Sequence, residues 1–144
     1  MVLGLAARLY RAVIKLKVEM APKTPSDAYG RLRRDGFTTS WLAARLGAPP
    51  EQVDLARRDG WILGVRAPGT QDYYFPAWQF DREGQPLPVV RRVIEAARAR
   101  GLNDERLFEI LSTRAGLVGG KLLAQGVQDG DEEQLLAAVR SARP

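Results

Sequence analysis

Apolar positions recur along the chain at helical and strand spacings, and their interruptions divide it into short elements. Over residues 2–19, Leu5, Leu9, Val13 and Leu16 return every three or four positions, widened by Ala6, Tyr10 and Ile14. Arg8, Arg11 and Lys15 fall on the opposite side, so this stretch predicts an amphipathic helix docked by its apolar stripe. A basic helix of this kind also suits an anionic membrane surface or a partner helix. Met20 is a second candidate start. Ala21–Asp27, with Pro22 and Pro25, reads as a linker. Ser26 or Asp27 is placed to cap a short helix through Arg34, which Gly36 ends.

The pattern is densest in the centre. Thr38 predicts an N-cap, and Leu42, Ala43 and Leu46 form an apolar face that stops at Gly47. Pro50 sits where a second helix begins, Val53 and Ala56 face inward, and Gly60 ends it. Two short helices around a tight Gly turn make a helix-turn-helix. Ile62–Arg66 predicts a strand, residues 67–72 a turn-rich loop, and Tyr73–Phe75 a returning strand before Pro76. Eight of the eleven aromatics lie in residues 37–80: Phe37, Trp41, Trp61, Tyr73, Tyr74, Phe75, Trp78 and Phe80. In so small a unit their expected place is the core. Beyond it, Val89, Val90, Val93, Ile94 and Ala97 predict a helix closed by Gly101. Asn103 or Asp104 caps another with Leu107, Phe108 and Leu111 inward, and Asp131 caps a last one with Leu135, Leu136 and Val139 inward. The fold class expected is mainly α: a winged helix-turn-helix with a small β-hairpin plus a C-terminal helical bundle. Its units are residues 1–36 (basic helical region and linker), 37–85 (winged helix-turn-helix) and 86–144 (helical partner-binding domain).

Composition narrows the chemistry. The 144 residues include neither His nor Cys, which removes disulfides, thiol nucleophiles, Ser-His-Asp triads and zinc hydrolase sites. The expectation is no enzyme, no cofactor and no metal. No stretch approaches the ~18–20 apolar residues that cross a bilayer, and the N-terminal segment lacks a signal peptide's continuous apolar centre. The chain is therefore expected to be cytoplasmic, with no membrane partner. The formal charge of +5 is unevenly placed. Residues 1–36 hold eight basic and three acidic side chains, residues 37–85 five and six, and residues 86–144 nine and eight. The excess thus belongs to the first quarter, where Arg31, Arg33 and Arg34 form the densest cluster and are candidate phosphate clamps.

Three chemical motifs fail on spacing. Gly119-Gly120-Lys121 lacks the first Gly of a phosphate loop, since Ala115 stands there, and Leu122 replaces its Ser/Thr. Asp129, Asp131, Glu132 and Glu133 lack the ligand spacing of a calcium loop and suit a helix N-terminus. Asp81 and Glu83 flank a Gly turn, where a solvated pair is expected.

Residues 38–66, TTSWLAARLGAPPEQVDLARRDGWILGVR, resemble the excisionase/MerR-like helix-turn-helix, with Thr38, Leu42, Ala43, Leu46, Gly47, Val53, Gly60 and Ile62 at that family's spacing. The resemblance implies a second helix in the major groove and a wing on the backbone or minor groove. It makes Gln52, Asp54, Leu55 and Arg58 the candidate reading positions and Arg66 the wing contact. Glu51 and Asp54 on the reading helix stand against phosphate unless paired. From Trp78 to the end the chain, with PAWQFD (76–81), Gly84, Leu87-Pro88, LVGGKLLAQG and the acid-capped last helix, resembles the C-terminal part of Xre/MbcA/ParS-type antitoxins. That family usually has Ser/Thr-Pro after the Gly pair, where this chain has Lys121-Leu122. This second resemblance implies a partner-binding surface at Leu117, Gly119, Gly120, Lys121 and Leu122 for a RES-type toxin or other protein. The expected function is a DNA-binding transcriptional regulator, homodimeric on double-stranded DNA, of autoregulatory antitoxin type. The alternative is an antitoxin-like interaction module that neutralises a toxin with little DNA binding of its own.

Overall fold

The structure is a computed structural model and describes residues 25–113 and 122–144. The helix expected over residues 2–19, and partner positions Leu117, Gly119, Gly120 and Lys121, lie outside the described residues. The described chain is mainly helical with one small three-stranded antiparallel sheet. Its elements are α1 (Pro25–Asp35), β1 (Phe37–Thr38), α2 (Thr39–Leu46), α3 (Pro50–Arg58), β2 (Val65–Arg66) and β3 (Tyr73–Phe75). A 3-10 turn at Ala77–Gln79 leads to α4 (Pro88–Ala99), α5 (Asp104–Leu111), α6 (Gln125–Asp129) and α7 (Glu132–Ser141).

Local signals set most boundaries. The Thr38 hydroxyl accepts from the Trp41 amide at 3.1 Å, and Gly47 closes α2 in the left-handed region at φ 64°. Pro50 and Pro88 occupy first-turn positions, where the missing N–H leaves no bond unmade. Asn103 caps α5 by accepting from the Arg106 amide at 2.7 Å.

Three expectations need correction. Pro25–Asp27 is not linker but the first turn of α1, whose Ala28, Tyr29 and Leu32 are buried with the C-terminal helices. Asp131 takes the N-cap position of α7 without a side-chain bond. Its backbone, at φ −78° and ψ 57°, lacks the extended geometry that aims a cap at the helix amides. The strand expected over residues 62–66 shortens to Val65–Arg66. A buried side chain takes over upstream: the Leu63 amide donates to Gln79 Oε1 at 2.7 Å, and Gln79 Nε2 donates to the carbonyls of Leu63 (2.7 Å) and Pro76 (3.1 Å). Gln79 thus does for Leu63 what a neighbouring strand would do.

The sheet order is β1-β3-β2, with Phe37 opposite Phe75, Thr38 opposite Tyr74, and Arg66 opposite Tyr73. β1 had no counterpart in the sequence pattern. One apolar cluster joins α1, Leu63, Val65 and Ala67 to α4–α7. The other, built on Leu42, Ala43, Val53, Ile62, Phe75 and Phe80, holds α2 and α3 on the sheet. Alternate hairpin positions therefore serve different cores. The aromatics do not all go inside: Trp41 is 47% exposed and Trp61 51%. Leu42 and Ala43 already fill the inward side of α2, so Trp41 stacks on Phe37, with ring centroids 4.1 Å apart. Trp61 lies under the Arg91 guanidinium, 3.6 Å from the ring centroid. Among the described residues no helix is long and apolar enough to cross a membrane.

Candidate nucleic-acid interface

α3 buries Val53 and half-buries Ala56, so the helical period turns Glu51, Gln52, Leu55 and Arg58 to solvent. Leu55 is 53% exposed. The α3 sequence carries two acids and two arginines, and its charges are organised by one carboxylate. Asp54 Oδ1 accepts from Arg57 Nη2 at 2.6 Å and Nε at 3.2 Å, while Oδ2 meets Arg58 Nη2 at 2.9 Å. The hydrogen bonds from Arg57, and behind them the charges of Arg57 and Arg58, hold the Asp54 carboxyl below the usual carboxylate range. Asp54 is therefore not the unpaired acid that the sequence suggested. Glu51 is exposed on the same helix.

The C-terminal end of α3 is held from α4. Arg98 donates to the carbonyls of Arg58 (2.7 Å) and Arg57 (3.0 Å), and pairs with Asp104 at 3.2 Å. Arg91 reaches the Asp59 carbonyl at 3.4 Å and pairs with Glu95 at 3.0 Å. Guanidiniums on terminal carbonyls satisfy orphan acceptors and complement the helix dipole. The hairpin meets the same end: the Arg57 guanidinium lies 3.8 Å from the Tyr73 ring centroid, and that of Arg66 5.3 Å. A groove of about 310 Å³ opens here, lined by Arg57, Arg66, Tyr73, Arg98 and the start of α5.

The three arginines of the α1 cluster have different surroundings. Arg33 donates to the Pro68 carbonyl and so braces the hairpin loop. Arg31 lines an apolar groove with Leu32, Trp78 and Phe108, and Arg34 is exposed. Leu122 is half-buried on that groove. Gln52, Leu55 and Arg58 are thus brought to one face, with Arg66 on the adjoining hairpin. Among the described residues no group of three or more acids stands ready for a metal. No family model matches the chain, and neither a curated protein nor a solved structure matches it.

Sequence reasoning missed Arg57, Tyr73 and Arg98. The Asp54 pairs were legible in principle, since acid and base three and four residues apart on a helix meet. Nothing local marks Arg98, whose partners on α3 lie 40 and 41 positions away.

Proposed function

We propose that this chain is a DNA-binding transcriptional regulator of winged helix-turn-helix type, with α3 as the reading helix and β2–β3 as the wing. The observation that carries the reading is the solvent face of α3, where Gln52, Leu55 and Arg58 stand together beside Arg66 of the hairpin. Gln52 offers an amide to a base edge, Leu55 an apolar contact, and the two arginines reach phosphate. Arg57 and Arg66 over one Tyr73 ring give helix and hairpin a common footing, so the two surfaces approach a duplex as a unit. The protein acts as a cytoplasmic homodimer on double-stranded DNA and represses its own operon, with a RES-type toxin or similar protein as partner of residues 117–122. The resemblances to the excisionase/MerR-like helix-turn-helix and to Xre/MbcA/ParS-type antitoxins support this part. It uses no cofactor and catalyses no reaction.

Fluorescence anisotropy on a duplex from the region upstream of its own coding sequence tests the reading. Affinity is expected to fall steeply as salt rises from about 50 to 200 mM, Arg66→Ala to flatten the log–log slope by about 0.9, and Arg58→Ala to lower affinity with a smaller change of slope. An affinity that ignores salt sinks the electrostatic part of the proposal.

A second reading has its own support in the exposed Trp41, Leu55 and Trp61. Large apolar side chains in solvent suit a protein partner, and an antitoxin-like module that neutralises a toxin would use them. A stable complex with the product of the adjacent gene, with no duplex bound, favours this second reading.

A further inference from the structure

We infer that Asp54 acts as a latch on Arg58 that lowers the chain's affinity for DNA of arbitrary sequence while leaving its base contacts intact. The inference rests on α3 facing DNA, as proposed above, and on the way three side chains of that helix are held.

Arg57 is the fixed member. Its side chain is only 14% exposed, and its guanidinium is stacked on Tyr73. Two nitrogens of that anchored group grip Asp54 Oδ1, which orients the carboxylate and leaves Oδ2 for Arg58. Arg58 is the outer member: its side chain is 65% exposed, and Asp54 is its ion-pair partner. Arg57 is therefore a positioning residue, and Arg58 is the group that reaches outward.

The consequence for DNA follows from counterion release. A guanidinium gains affinity by replacing the ions condensed on a phosphate. A guanidinium already paired with a carboxylate must first give up that carboxylate, which also repels the incoming phosphate. The latch thus weakens the sequence-independent term. Gln52, six positions before Arg58 on the same helix and exposed, takes no part in these bonds. Weakening non-specific contacts while keeping base contacts raises the ratio of specific to non-specific binding, the quantity a regulator needs against a genome of competing sites.

The test uses the full chain and two duplexes, one of random sequence and one from its own upstream region. Asp54→Asn removes the charge and keeps an acceptor for Arg57. Its affinity for the random duplex at about 50 mM salt is expected to rise about three- to tenfold, with a log–log slope steeper by about 0.9. Asp54→Ser, checked by its melting curve, is expected to do the same. Arg58→Ala added to Asp54→Asn is expected to abolish the gain, which a merely structural effect of Asp54 would not do. Wild-type binding with no change in Asp54→Asn overturns the latch and spares the proposed function. The latch is also overturned if Asp54→Asn loses affinity at one base pair of the upstream duplex, since Asp54 would then be reading cytosine. A wild-type chain that binds neither duplex overturns both.

Discussion

Gln79 is fully buried, and its amide serves both backbone groups of Leu63. Its value lies in what its removal would leave behind, because an amide and a carbonyl sealed from water with no partner are costly. Gln79→Leu keeps the bulk and removes the bonds. It is expected to lower stability by about 2–4 kcal/mol in a denaturant titration, and an unchanged midpoint would show that Leu63 finds other partners. Tyr29 is a second buried polar group: burial first, then the charges of Glu109 and Glu105, push its hydroxyl up to about 12. The periodicity around Tyr29 and Gln79 marked neither as special. From the sequence, Gln79 figures only within PAWQFD, with no role of its own.

Helices α2 and α3 are legible residue by residue, since Thr38, Gly47 and Pro50 act through their own backbone or the next turn. What holds them to the rest is not. Arg98 on α4 bonds two carbonyls at the end of α3 and ties them to Asp104 at the start of α5. Arg98→Ala is expected to cost about 1–2 kcal/mol in thermal or chemical unfolding. Arg98→Lys should recover only part of it, because an ammonium lacks the rigid fork whose two nitrogens serve both carbonyls and Asp104 at once. Full recovery by Lys would reduce the interaction to a simple charge effect. The hairpin depends on the same kind of distant support: Arg33 on α1 braces its loop, and Gln79 replaces the missing length of β2.

At the scale of the whole molecule, charge and fold are distributed differently. The excess of positive charge lies in residues 1–36, whereas residues 37–85 carry one more acid than base. Of the described cations in that first quarter, Arg33 is committed to the hairpin loop and Arg31 lines a groove, which leaves Arg34 in the open. The remaining weight falls on Arg8, Arg11, Lys15, Lys17 and Lys23. Replacing these five with Gln in the full chain is expected to flatten the salt dependence of DNA binding more than Arg58→Ala does, by about 0.9 for each phosphate no longer neutralised. An unaltered slope would assign the electrostatic attraction to α3 and the hairpin alone.

The sequence by itself determined the order of the described helices other than α6, most of their ends and the returning strand. These follow from side-chain period, caps, prolines and glycines, which act over a few residues of chain. It also determined, through the absence of His and Cys, which chemistries have no residues to run on. The tertiary structure decided which charges are free to act. Arg57 and Asp54 are held together against Tyr73, Arg33 and Arg98 are occupied by carbonyls, Arg58 is exposed but paired with Asp54, and Arg66 is exposed beside Tyr73. It also decided that two tryptophans stay in solvent and that β2 stops short. The reason is physical: a cation or an aromatic ring takes whichever partner packing brings to it. Here the partner of Arg33 lies 35 residues away and those of Arg98 on α3 lie 40 and 41.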